Sequence, residues 1–128
     1  MQAGVVNTKI AKLNKPQDAL LSIVSETKSD PVLNIGLNEF IMAQANSNYT
    51  SIWYLNEKKV QSKLLRLKLK SVAEQLHEHK TVIRCHKSYL VNKNKIVSSN
   101  GNARSLNFII DGIEQCIPVS RSFDKNLI

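Results

Sequence analysis

From Ala19 onward, short apolar runs alternate with polar, turn-forming clusters, and only once does the spacing change to that of a helix. ALLSIVSE and PVLNIG are separated by TKSD, and FIMAQA, Phe40 to Ala45, is followed by NSN. YTSIWYL is rich in β-formers and leads through NEKK to VQSKLL, Val60 to Leu65. TVIRC, YLV and KIVS continue the rhythm. SNGNA reads as a turn by composition, SLNFII as a strand, and the Asp111-Gly112 pair as a hairpin signal before IEQCIPV. Runs of this length suit strands, because a helix needs a longer periodic segment to bury a face.

The exception is the stretch Leu69, Val72, Ala73 and Leu76, whose spacing of i, i+3, i+4 and i+7 predicts one short amphipathic helix packed on a sheet. Lys68, Lys70, Glu74 and Gln75 take its polar side. Ser120 has the chemistry of an N-cap for a brief terminal helix, RSFDKNLI. The expectation is a mainly β domain of about eight to ten short strands with one internal helix and a short C-terminal helix. Residues 1–18 are polar and basic and read as a tail or linker, which leaves 19–128 as the domain.

Charge narrows the function. Eighteen Lys and Arg against ten Asp and Glu give a net charge of +8. Between Lys58 and Lys95 eleven of the basic residues meet only Glu74 and Glu78. A field of that sign attracts polyanions, chiefly nucleic acid or anionic membrane. No apolar run approaches the roughly 18 residues of a membrane span, and MQAGVVNTKIAKLNK lacks the continuous apolar stretch of a secretory signal. Two cysteines, Cys85 and Cys116, fit a reducing cytoplasm, and both sit in apolar-rich segments where a free thiol behaves as a small core residue.

Catalytic chemistry finds little support. His77, His79, Cys85 and His86 are zinc-ligand types, but no pair has the C-x2-C or H-x3-H spacing of a structural site. Cys85 and His86 are strand neighbours that point to opposite faces, which works against a nucleophile–base dyad. The glycines are isolated, so no loop cradles phosphate, and the acids are scattered. The expectation is a non-enzyme with no metal and no cofactor. A membrane-surface helix is also disfavoured, because the apolar face of the one good helix is needed to cover the sheet.

Nucleic acid remains, and the scarcity of aromatic residues, 5% of the chain, argues against a single-strand stacking platform. Trp53 and Tyr54 share a strand, so at least one belongs to the core. Duplex binding instead uses polar and basic loops such as NSNY, HKS, NKNK and SRS. Two rivals stand beside it: a non-enzymatic protein-interaction module with a basic face, and an RNA-binding β-barrel.

The segments FIMAQANSNYTSIWY, LLRLKLKSVAEQL, IRCHKSYLVNKNKI and IPVSRSF, in that order, resemble the LytTR-type DNA-binding domain of bacterial transcriptional regulators. The resemblance covers Val32 to Leu127, and RCH-x-SYLVN followed by PVSRS is its most specific part. It implies stacked antiparallel sheets with little helix, and duplex DNA bound by loops entering the grooves. It further implies direct-repeat promoter sites, a second copy of the domain on the DNA, and a cytoplasmic response-regulator output role. An upstream receiver or membrane sensor, which such domains follow, is not in this chain.

By the same resemblance, Tyr49, Lys87 and Arg121 are base-contacting positions, with Asn48 beside Tyr49. Arg121 is expected to read most strongly, since arginine donates bidentately to guanine O6 and N7, worth about 1–3 kcal/mol of discrimination. Arg84, Lys93 and Lys95 are expected on phosphates, His86 orients its loop by hydrogen bonding, and Ser88 and Ser120 belong to the same polar loops. Where the family usually has threonine or serine before the helix, this chain has Lys68, which weakens the cap. Blander roles compete at several positions. Tyr49 suits a half-buried strand, Arg121 the flank of a helix cap, and Arg84 a carboxylate partner. Cys85 belongs in the core, and Asn92 suits capping a turn.

Overall fold

A computed structural model describes residues 19–102 and 104–123 of the chain. Ten strands and one α-helix appear in this order: β1 (Leu20–Ile23), β2 (Leu33–Gly36), β3 (Phe40–Asn46), β4 (Tyr49–Asn56), β5 (Lys59–Leu65), α1 (Leu69–Gln75), β6 (Val82–His86), β7 (Tyr89–Asn92), β8 (Ile96–Asn102), β9 (Ser105–Ile110) and β10 (Ile117–Pro118). All pairings are antiparallel. They form a hairpin β1-β2, a five-stranded sheet in the order β5-β4-β3-β7-β6, and a three-stranded sheet in the order β10-β9-β8. The predicted mainly β architecture of stacked sheets is therefore what the chain adopts.

Two hydrophobic clusters make the stack. One, which includes Leu21, Ile35, Phe40, Ile52, Leu65, Val72 and Leu90, joins one face of the five-stranded sheet to the β1-β2 hairpin and α1. The other, which includes Ile41, Met42, Ile83, Cys85, Val91, Phe108 and Ile117, joins the opposite face to the three-stranded sheet. Strand β3 is buried on both sides, so it reads as a continuous apolar run. A register shift between Phe40 and Met42 lets Ile41 and Met42 serve the second cluster together. Full burial of a side chain such as Phe108 stabilises by roughly 1.5–3 kcal/mol. Trp53 and Tyr54 divide between the two clusters, both half-buried.

The turns follow their local chemistry. NEKK closes β4 on β5 with positive φ at Glu57 (52°) and Lys58 (68°), as a two-residue type I′ connection requires. Helix α1 opens at Lys68 with no side-chain cap, as the missing threonine or serine implied. At its other end the His77 ring Nδ1 bonds the Glu74 carbonyl at 2.8 Å. Asn92 is buried and caps the short 3-10 turn Lys93–Lys95 by accepting from the Asn94 N–H at 3.0 Å. Its amide also donates to the carbonyls of Leu37 (3.0 Å) and Phe40 (2.9 Å).

Five expectations need correction or fall outside view. Ser99–Asn102 of SNGNA is not a turn: β8 runs to Asn102, because β9 supplies a ladder partner for each of these four residues, and Ala103 lies outside the described residues. Gly101 permits this with φ 96°, where a Cβ would collide with the Ser105 carbonyl. After Asp111-Gly112 no long strand resumes, and only Ile117 and Pro118 pair with β9. Between them Ile113 packs on the second cluster and the Gln115 side chain bonds Gln44, contacts that compete with a ladder. Cys116 consequently lies in the exposed approach to β10 and is not a core residue. Arg121 and Ser122 form a turn closed by the Phe123 N–H on the Ser120 carbonyl at 3.0 Å, and the rest of the expected terminal helix lies outside the described residues. The expected tail, 1–18, does so as well.

Candidate nucleic-acid interface

Pairing of β3 with β7 sets two hairpin tips side by side. β3-β4 turns at Ser47-Asn48, with φ 60° at Ser47, and β6-β7 turns at Lys87-Ser88. Gln44 pairs with Tyr89, and beyond that register the Ala45 N–H donates to the Ser88 carbonyl at 2.8 Å. Asn48, Tyr49 and Lys87 therefore emerge at the same end of the five-stranded sheet, all exposed. The C-terminal segment reaches that end from outside: the Ser120 N–H donates to the Cys85 carbonyl at 2.7 Å, on the open edge of β6. Arg121, the next residue, is exposed there, and the Ser120 hydroxyl accepts from the Ser122 N–H at 3.3 Å.

Each tip is braced from behind. The Arg84 guanidinium donates to the Lys87 carbonyl at 2.9 Å, so among the described residues Arg84 has a backbone partner and no carboxylate. His86 Nδ1 accepts from the Ser88 N–H at 3.1 Å, and its ring meets Tyr89 edge-on at 5.7 Å. Tyr89 in turn accepts from Gln44 Nε2 at 3.2 Å. At the other tip the guanidinium of Arg66 sits 5.8 Å from the centroid of the Tyr49 ring.

Cations predominate at this end, with Glu26 and Asp30 as acidic neighbours along the Arg66 backbone. Among the described residues the only ion pair is His79 with Glu78, at 3.9 Å. The exposed cations Arg66, Arg84, Lys87 and Arg121 are thus unpaired within the described part of the fold, an arrangement that attracts an external polyanion. Cys85 offers no reactive thiolate. It is buried, and desolvation pushes its pKa up to about 12. No group of three or more His, Cys, Asp or Glu among the described residues is arranged to hold a metal.

Comparison with known proteins decides the family. The LytTr DNA-binding domain family matches residues 30–128. The chain belongs to the LytTR DNA-binding domain family. A solved structure described as the LytTr DNA-binding domain of a methyl-accepting/DNA response regulator from Bacillus cereus shares the fold. It is 21% identical, with a TM-score of 0.56, and the alignment covers 80% of this chain and 89% of that chain. No curated protein matches the chain significantly. The hairpin strand β1 lies ahead of the matched LytTR region yet pairs with β2 along its full length.

Within this LytTR domain the sequence-predicted positions divide into two sets. Asn48, Tyr49, Arg84, His86, Lys87, Ser88, Ser120 and Arg121 gather at the tips. Tyr49 is 37% exposed, at the rim of its strand rather than in the core. Lys93 and Lys95 do not join them. They sit half-buried at the far end of β7, a strand of four residues, or about 13 Å away. Sequence reasoning missed Arg66, Tyr89 and Gln44 as parts of this end. Tyr89 lay inside the RCHKSYLVN motif, and Arg66 inside LLRLKLK, where a cation between leucines marks an exposed position on an anchored segment.

Proposed function

We propose that this chain reads duplex DNA sequence-specifically as the output domain of a bacterial transcriptional regulator, with its loops entering the grooves. Tyr49, Lys87 and Arg121 contact bases in this reading, and Arg84 adds a phosphate contact through the donors its bond to Lys87 leaves free. Asn48, Ser88 and Ser120 supply short polar contacts, and His86 holds the β6-β7 tip. Residues 19–128 form the binding unit, which acts without catalysis or cofactor in the cytoplasm. Promoter direct repeats occupied by two copies, under the control of a receiver or sensor, complete the proposal.

One observation carries most of the support. Three positions that are distant in sequence are assembled by β3-β7 pairing and the Ser120 hydrogen bond at one exposed basic end whose cations form no ion pair among the described residues. Lys93 and Lys95, at the far end of β7, contribute phosphate attraction without sequence choice.

Arg121→Ala, assayed by fluorescence anisotropy on a duplex selected from a random pool and on its scrambled version, should lose preference for the selected duplex by about 1–3 kcal/mol. Equal loss on both duplexes would reduce Arg121 to a backbone contact. Lys93→Ala should weaken both alike and make the salt slope shallower by about one unit. No binding of any duplex at about 50 mM salt, or tighter binding to single-stranded RNA, would sink the proposal.

A further inference from the structure

Arg66 and Lys68 lie between the end of β5 and the start of α1, Lys70 is the second residue of α1, and none of the three is assigned a DNA contact above. Each is exposed, while Leu65, Leu67 and Leu69 between them are buried. The leucines thus hold the segment to the core and leave three cations in water. Backbone bonds fix it further. The buried Thr50 hydroxyl donates to the Leu67 carbonyl at 2.7 Å. The Arg66 carbonyl accepts from the Glu26 N–H at 2.9 Å and from the Ser25 hydroxyl at 3.2 Å.

Thr50 is the neighbour of Tyr49, so this anchoring places the segment directly beside the β3-β4 tip. The Arg66 guanidinium completes the junction by lying over the Tyr49 ring, at 5.8 Å from its centroid. An arginine held on an aromatic face keeps its planar donor edge free and loses less freedom when it takes a second partner. None of the three cations forms an ion pair among the described residues.

We infer that Arg66, Lys68 and Lys70 form a phosphate-holding ridge that extends the DNA interface from Tyr49 toward α1, with the Tyr49 ring positioning the Arg66 guanidinium. The inference rests on the DNA-binding reading and adds to it a second contact region on the opposite side of the β3-β4 tip from Lys87 and Arg121. Its ligand is the phosphodiester backbone of the duplex, so it contributes affinity and register rather than base choice.

The test uses the full chain and a random-sequence duplex, with anisotropy titrations between about 50 and 200 mM salt. Lys68→Gln with Lys70→Gln should make the log–log salt slope shallower by about two units, since each phosphate contact contributes about 0.9. Lys58→Gln with Lys59→Gln removes the same charge at the other end of β4, about 23 Å from Tyr49 and beyond the Debye length, and should leave the slope nearly unchanged. Arg66→Ala should weaken binding about tenfold, and combining it with Tyr49→Ala should cost less than the sum of the two. Equal slope changes for the ridge and control pairs, or strict additivity of Arg66→Ala and Tyr49→Ala, overturns the ridge while leaving DNA binding intact. Absence of salt-dependent duplex binding by the unsubstituted chain overturns the DNA reading itself and the ridge with it.

Discussion

Cys85 is buried with its thiol 3.7 Å from the Pro118 carbonyl, while His86, next to it in sequence, accepts the Ser88 N–H and holds the β6-β7 tip. The alternation of a strand separates the two and ends any reading of them as a reactive pair. Burial also has a chemical consequence. With its pKa pushed to about 12 from the ordinary 9.0, Cys85 stays protonated where an unfolded chain would already ionise. Below about pH 9 both states hold the proton and stability is unaffected. As pH rises from about 9 toward 12 the unfolded state alone releases it, so this group's contribution to stability falls. At pH 8 a thiol reagent should therefore modify one cysteine, the exposed Cys116, in the native protein and two in denaturant, counted by mass spectrometry. Rapid modification of both in the native state would contradict the burial of Cys85.

Helix α1 shows how an element can serve two demands at once. Its hydrophobic face was legible from Leu69, Val72 and Leu76, all of them buried. Its start is poorly capped, because Lys68 offers no acceptor for the free backbone N–H groups. Lys68→Ser should supply that acceptor and raise stability by about 1 kcal/mol, measured as a higher Tm. The same substitution removes a cation from the inferred ridge, so duplex affinity should fall as stability rises. A gain in both would show that Lys68 has no part in binding. The β8 strand makes a different point. Its Ser99–Asn102 segment carries no intrinsic strand preference, and only the register with β9 turns it into one.

At the scale of the whole molecule, the interface depends on contacts between segments far apart in sequence. Arg121 reaches the tips because residues around it dock on the second cluster: Val119 and Phe123 pack there, and the Phe123 ring meets Phe108 edge-on at 6.1 Å. Phe123→Ala should cost about 1–2 kcal/mol of stability in urea titrations, less than a fully buried aromatic, since Phe123 is only half-buried. It should also reduce preference for the selected duplex, because Arg121 would no longer be held at the β6 edge. Unchanged preference would show that the Ser120 hydrogen bond alone positions Arg121. Net charge acts at this scale too, as an attraction to DNA that salt screens, whichever loops make contact.

The chain's own pattern was enough for the strand rhythm, the helix that opens at Leu69, the presence of a turn at NEKK and the sign of the partner, because these depend on local spacing, turn-forming composition and summed charge. It was also enough to single out RCHKSYLVN and PVSRS. Tertiary structure decided what spacing cannot encode. The β3-β7 register brings the two tips together, and the ladder with β9 recruits Ser99–Asn102. The approach to β10 leaves Cys116 outside, and β7 carries Lys93 and Lys95 to the far end from Lys87. Each of these outcomes is a non-local pairing, whose free energy comes from surfaces buried between segments and not from the residues of either segment alone.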